Sequence, residues 1–398
     1  DMDSTTGNPT KSVTLSTLAT FLGSQTGGPF VPYVDGNGKR ITRTEDTNKN
    51  TSLGFEALAG LTTGTGNVAM GYNAGKVLNT GLNNVILGND AGVAATDADL
   101  NVLIGKDAGK AVTIGNSNVV IGNSAGLALT TQSNNVCIGK FAGNDLITDD
   151  TCCVGQSAGS KFTTGVKNTF LGNNAGALTV ATTSNTFVGY SAGHAQQGST
   201  NTFVGDLAGY GDIGGLSTGT RNVGIGQQSL NDVQSSFNTA IGFNSGSTIT
   251  TGTYNSCIGH AAEPTVATAT GEFTLGDSNV AVLRCQQTTI TALSDQRDKT
   301  SIEDLPYGLD FINSLQPRKF VWDNRAEIDS DGNEYFSLNK GKKDIGFIAQ
   351  ELQTVDDEWL NLVYDSNPER LEASYGKLIP VLVKAIKELK ARVEALEA

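Results

Sequence analysis

Between residues 51 and 280 the aliphatic positions follow neither a long alternation nor a helical period. They come in short groups that recur every 16 or 17 residues. Each group reads Asn-x-x-Ile-Gly-x-x-Ala-Gly, as in Asn118-Val-Val-Ile-Gly122-Asn-Ser-Ala-Gly126, and a Thr/Ser/Gly-rich return follows it. A marker glycine stands at 54, 71, 88, 105, 122, 139, 155, 172, 189, 205, 226, 242, 259 and 276. Twelve of the thirteen spacings are 16 or 17 residues, and the exception is the 21-residue step from Gly205 to Gly226. Fourteen copies of one unit predict a solenoid in which each unit buries its apolar face against its neighbours. The expected fold class is therefore mainly β: a β-solenoid or β-roll shaft of about 14 rungs.

Each place in the unit implies a task. An aliphatic residue precedes the marker glycine (Met70, Leu87, Ile104, Ile121, Ile138, Val154, Leu171, Val188), and two residues earlier stands a small or β-branched one (Val68, Val85, Val102, Val119, Thr169, Thr186). These two share a strand face and are expected to point into the coil. Four before the glycine stands Asn in twelve of fourteen units, a row able to pass hydrogen bonds from rung to rung. The Ala-Gly pair supplies a corner with positive φ. Proline is absent between 33 and 263, as a ladder using every N–H requires. The remaining strand position holds Ala69, Ile86, Leu103, Val120, Cys137, Cys153, Phe170, Phe187 and Phe203. On this assignment it faces outward, where a phenylalanine stripe in water invites aggregation. Burial against other copies is expected, with Ile86, Val120, Phe170, Phe187 and Phe203 at the core of a homotrimer. Cys137 and Cys153 read as small core residues.

Composition divides the chain. Residues 1–293 hold 32 charged side chains and 44 glycines; residues 294–398 hold 35 and 5. The expected organisation is an N-terminal connector at 1–50, a shaft at 51–280, a linker at 281–293 and a separate C-terminal domain at 294–398. A net charge of −13 with no Lys/Arg cluster excludes nucleic acid as a partner. No apolar run reaches the ~20 residues of a membrane span, so no membrane insertion is expected. Five cysteines are odd in number and too sparse for a disulfide scaffold, and read as reduced thiols from cytosolic assembly.

The shaft pattern resembles the head repeats of trimeric autotransporter adhesins and the shafts of phage tail fibres. In the last third, Ile379, Leu382, Ile386, Leu389, Val393 and Leu396 are spaced 3, 4, 3, 4, 3, which predicts a coiled-coil helix from about Lys377. The segment Leu293-Ser-Asp-Gln-Arg-Asp-Lys299 joins Asp344-Ile-Gly-Phe-Ile-Ala-Gln-Glu351 and Tyr375-Gly-Lys-Leu-Ile-Pro in order. Together these resemble the endosialidase-type C-terminal intramolecular chaperone that ends many phage spikes and fibres. The resemblance implies a small α+β domain that trimerises, folds the shaft and then cuts itself off. It implies Ser294 as nucleophile, Lys299 as base and Leu293–Ser294 as the scissile bond, with Asp295, Arg297, Gln350 and Glu351 in support. A desolvated lysine has a pKa low enough to activate a serine hydroxyl. Five residues lie on one face of neither a helix nor a strand, so the segment must turn or Lys299 must reach in from another chain.

The function expected is a viral tail fibre or spike that attaches to a host surface, assembled in the host cytoplasm and carried on the virion. Its partners would be further copies of itself, other tail proteins on its N-terminal side and a host glycan or protein receptor. Two alternatives are a bacterial trimeric adhesin and a glycan-degrading tailspike, but the shaft's Asp and Glu are scattered rather than paired as a glycosidase needs. No cofactor and no metal are expected; Asp329-Ser-Asp-Gly-Asn-Glu334 imitates a calcium loop but has Lys340 where the twelfth-position Glu belongs, and reads as a hairpin turn. His194 and His260 read as solvated. Residues 196–221, which break the period, are the candidate receptor-contact segment.

Overall fold

The computed structural model describes residues 42–43, 48–211, 217–280, 282–286, 290, 293–323, 327–328, 334–335 and 339–398. The connector expected at 1–50 lies almost wholly outside the described residues. Two compact units are present, one ending at Thr220 and one beginning at Arg221.

The repeats form a β-solenoid of about 13 turns. Each turn contributes one three-residue strand and a return made of tight turns. Strands stack in parallel without slippage, so Val119 faces Val136 and Ile121 faces Ile138. In the first unit they run from Thr51–Leu53 to Thr202–Val204; in the second, Val223–Ile225 through Phe273–Leu275.

The asparagine row behaves as a ladder. The backbone N–H of Asn84 donates to Asn67 Oδ1 at 3.0 Å, and that of Asn101 to Asn84 Oδ1 at 3.0 Å. Each Nδ2 donates to a carbonyl of the following turn, as Asn101 does to Gly115 at 2.8 Å. Both ends of each amide are thus used inside a coil where water is absent. The marker glycines have φ between +119° and +142° from Gly54 to Gly259. A Cβ on Gly122 would stand 2.4 Å from the carbonyl oxygen of Gly139, so no side chain fits between rungs.

The expected assignment of the two strand faces is inverted. Phe170, Phe187 and Phe203 have no exposed surface within the single chain, and Ile86 and Val120 are equally enclosed. These five residues are the interior of one coil, not the core of a trimer. The residues expected inside face outward: Met70 is 43% exposed, and Leu171, Ile225, Ile241 and Ile258 are comparable. Parity gives the reason. The buried Asn stands two residues before the middle strand residue, and alternate residues share a face, so the two go inside together.

A second interior row, nine residues after the first, went unread in the sequence. It holds Leu78, Ala95, Val112, Leu129, Leu146 and Phe162, all buried. A Cβ on Gly126 would touch both Val120 and Leu129, which places the two rows in one cavity. Their sizes vary inversely: Ala69 goes with Leu78, Ile86 with Ala95, Phe170 with Thr179. In these turns a small residue in one row meets a larger one in the other, as close packing favours. The phenylalanines stack with ring centroids 5.4 Å apart from Phe170 to Phe187 and again to Phe203.

The second unit continues into a small α+β region. Among the described residues it has three helices, α1 (Leu309–Ser314), α2 (Ala349–Gln353) and α3 (Leu378–Glu397), and three short antiparallel pairs. Arg318–Val321 pairs with Lys343–Gly346, Glu327–Ile328 with Glu334–Tyr335, and Val363–Tyr364 with Glu372–Ala373. The second pair agrees with a hairpin around the calcium-like sequence, whose turn itself lies outside the described residues. The core gathers Leu315, Leu352, Leu360, Leu362, Val363, Leu378 and Val381. Pro380 is tolerated in the first turn of α3, where an N–H has no helical partner. Glu388 of α3 accepts the Leu309 N–H at 2.7 Å, placing a carboxylate at the start of α1. While α3 packs Leu378, Val381 and Ala385 onto its own domain, the predicted seam stays exposed, with Ile386 at 65%.

Candidate self-cleavage site

Residues 294–299 form one tight turn. The Asp295 carboxylate accepts the Arg297 N–H at 2.9 Å and caps a short 3₁₀ helix, Gln296–Asp298. Arg297 closes on the same carboxylate, Nη2 to Oδ2 at 2.7 Å and Nε to Oδ1 at 3.1 Å. The guanidinium holds the Asp295 carboxyl below its usual range. The Lys299 N–H ends the turn on the Gln296 carbonyl at 3.1 Å.

Within one chain the segment turns and brings a lysine five residues on to the serine. Lys299 Nζ donates to Ser294 Oγ at 2.5 Å. Ser294, Lys299 and Leu293 are all exposed, so the Leu293–Ser294 bond lies open in the single chain. The hydroxyl, the amine and the exposed peptide bond that the resemblance singles out therefore lie within seven residues.

Gln350 and Glu351 stand apart from this pair. Glu351 is held by Arg318, with Nη2 to Oε1 at 2.7 Å and Nε to Oε2 at 3.0 Å, which keeps its carboxyl below the usual range. Gln350 lines a cavity of about 250 Å³ with Leu315, Phe347, Glu351 and Val355. Both residues serve the α2 region in this structure, and no bond joins them to Ser294 or Lys299 among the described residues. Arg318 went unread as a partner because nothing in the spacing links residues 33 apart.

His260, read as solvated, pairs with Asp277 at 3.0 Å and stacks on Phe243. His194 stacks on Tyr210, and burial lowers its pKa. Of the candidate receptor segment, Gln196 and Ser217 lie buried in the coil and 212–216 fall outside the described residues. Among the described residues no cluster of ligating side chains is suited to a metal ion, and no helix is long and apolar enough to cross a membrane.

A repetitive β-solenoid that hands over to a small α+β region defines a protein like a phage tail fibre or spike. Residues 294–361 match the family described as Chaperone of endosialidase, named Peptidase S74, and the match begins at Ser294. No curated protein and no solved structure matches the chain.

Proposed function

We propose that the chain forms the homotrimeric shaft of a viral tail fibre or spike for host attachment. Its C-terminal domain assembles three copies and then separates by cutting Leu293–Ser294. The observation that carries this reading is Lys299 Nζ at 2.5 Å from Ser294 Oγ, at the point where shaft composition ends.

In the step, Lys299 takes the proton from Ser294 Oγ, and the oxygen attacks the Leu293 carbonyl carbon. The C–N bond breaks, giving an ester and the free Ser294 amine, and water then hydrolyses the ester to a Leu293 carboxylate. Asp295 and Arg297 hold the turn that positions the base. A lysine base needs shielding from water, and Lys299 is exposed in the single chain. Enclosure by neighbouring copies supplies the missing desolvation, which makes cleavage follow assembly.

The homotrimer reading rests on two apolar surfaces. The outward strand positions carry no charged residue in any rung, in a chain with net charge −13. They include Leu53, Met70 and Leu171 in the first unit, and Ile225, Ile241, Ile258 and Leu275 in the second. The α3 seam, Ile379, Leu382, Ile386, Leu389, Val393 and Leu396, is exposed throughout. Other tail proteins on the N-terminal side and a host glycan or protein receptor complete the reading.

A gel of the purified protein tests the cut, with N-terminal sequencing of the small fragment. A fragment beginning at Ser294, absent from Ser294→Ala, supports the reading. Wild-type protein that stays full length under every condition overturns the peptidase part.

A further inference from the structure

The asparagine ladder does not end in asparagine. In the last rung its place is taken by Glu272, whose N–H still donates to Asn255 Oδ1 at 3.0 Å. Every earlier Asn in the second unit sends its Nδ2 to a carbonyl of the turn that follows, the last being Asn255 to Ala269 at 2.7 Å. Among the described residues no further turn beyond the last rung offers that carbonyl, so an amide there would lack the acceptor its predecessors have. A carboxylate only accepts.

The donors it accepts come from two sides. Glu272 Oε2 takes the Thr265 N–H at 2.7 Å, and Oε1 takes the Thr265 hydroxyl at 2.6 Å. Oε1 also takes the Tyr364 hydroxyl at 2.5 Å, from the Val363–Tyr364 strand of the C-terminal region. Asn367 Nδ2, three residues on, donates to the Thr265 carbonyl at 3.2 Å. Thr265 is therefore gripped by the ladder's last residue through its N–H and hydroxyl, and by the C-terminal region through its carbonyl.

We propose that the segment Val363–Asn367 is the surface on which the last shaft turn docks, with Glu272 as the receiving group that fixes that turn's register. Its partner is the chain's own final rung. This rests on reading residues 294–398 as a folding chaperone and adds where that chaperone holds the shaft. A parallel ladder slips easily while it has one free end; a side-chain bond to a folded domain removes the freedom.

Hydrogen exchange on the full-length chain, kept uncut by Ser294→Ala, tests it through reciprocity. Tyr364→Phe combined with Asn367→Ala removes the C-terminal donors. Amides of Thr265, Glu272 and Phe273–Leu275 should then exchange about tenfold faster or more, as two lost hydrogen bonds imply. The amides of α3 and of the rung at Asn238 should be unchanged. Glu272→Ala, made from the shaft side, should speed exchange at Val363–Asn367. Wild-type exchange at Thr265–Leu275 in the first variant, or at Val363–Asn367 in the second, overturns the proposal. If the first variant also loosens α3, the Glu272→Ala result decides. A chain that is monomeric and uncut yet shows the reciprocal change sinks the proposed function and keeps the docking surface; a wild type that trimerises and cuts, but whose uncut Ser294→Ala form lacks the change, does the reverse.

Discussion

Phe187 lies between Phe170 and Phe203 in a dry interior, so its ring has both neighbours and no water. Phe187→Ala should cost about 3–5 kcal/mol, because stacked rungs cannot collapse onto the gap. Thermal unfolding of the purified shaft measures it, and a change near 1 kcal/mol would contradict the interior placement. Glu272 offers a test by pH. Burial raises its carboxyl, but the hydrogen bonds from Thr265 and Tyr364 outweigh that and hold it below the usual glutamate range. A carboxyl depressed on folding stabilises the native state above its unfolded pKa of about 4.3, and that contribution disappears as pH falls through the folded value. Melting of the protein scanned from pH 6 to pH 3 should therefore show an acid loss that Glu272→Gln lacks; identical acid limbs would remove Glu272 from the account.

At the scale of the strand, three residues between an Asn and a glycine are too few for alternation to reveal which face is wet. Both faces are apolar here, one because it fills the coil and the other because it is a broad uncharged surface. The period, the Asn ladder and the Ala-Gly corner could be read directly, since each follows from what a backbone at that place needs. The face assignment could not be read from hydrophobicity, though the Asn parity carried it: an Asn row bonding from rung to rung must be shielded, and its same-face neighbour is shielded with it. Ser294 and Lys299 were singled out by the family resemblance, and the turn that joins them is local in sequence. Arg318 with Glu351, and Tyr364 with Glu272, were not legible, because only the tertiary fold brings them together. The inverted faces give opposite expectations for two substitutions. Ile241→Asp should leave the coil folded and weaken association, since it charges the outward face. Val120→Asp should unfold rungs by burying an unpaired charge. Light scattering and circular dichroism on both variants separate the cases, and a monomeric wild type would remove the outward face as an interface.

For the whole molecule, the proposal ties three properties together: an exposed dyad, an exposed helical seam and a scissile bond at the shaft's end. Lys299 is open to water in the single chain, so a lone chain should cut slowly, and enclosure by two further copies should speed the step. The order is then fixed by physics rather than by a separate signal. On this reading the scaffold would leave only after the shaft has been locked, and unfolding afterwards would be slow because the element that set the register is gone. Leu382→Asp together with Leu389→Asp charges the seam without touching Ser294, Lys299 or the buried Leu378, Val381 and Ala385. Those chains should remain uncut, and wild type diluted during refolding should show trimer before fragment. Chains lacking residues 294–398 from the start should give insoluble shaft, because long parallel stacking would lack its nucleus. The decisive measurement is a time course of refolding sampled on native and denaturing gels in parallel. Fragment that accumulates in the monomer band, or in the doubly charged variant at the wild-type rate, would show that the dyad works without assembly and would break the proposed order.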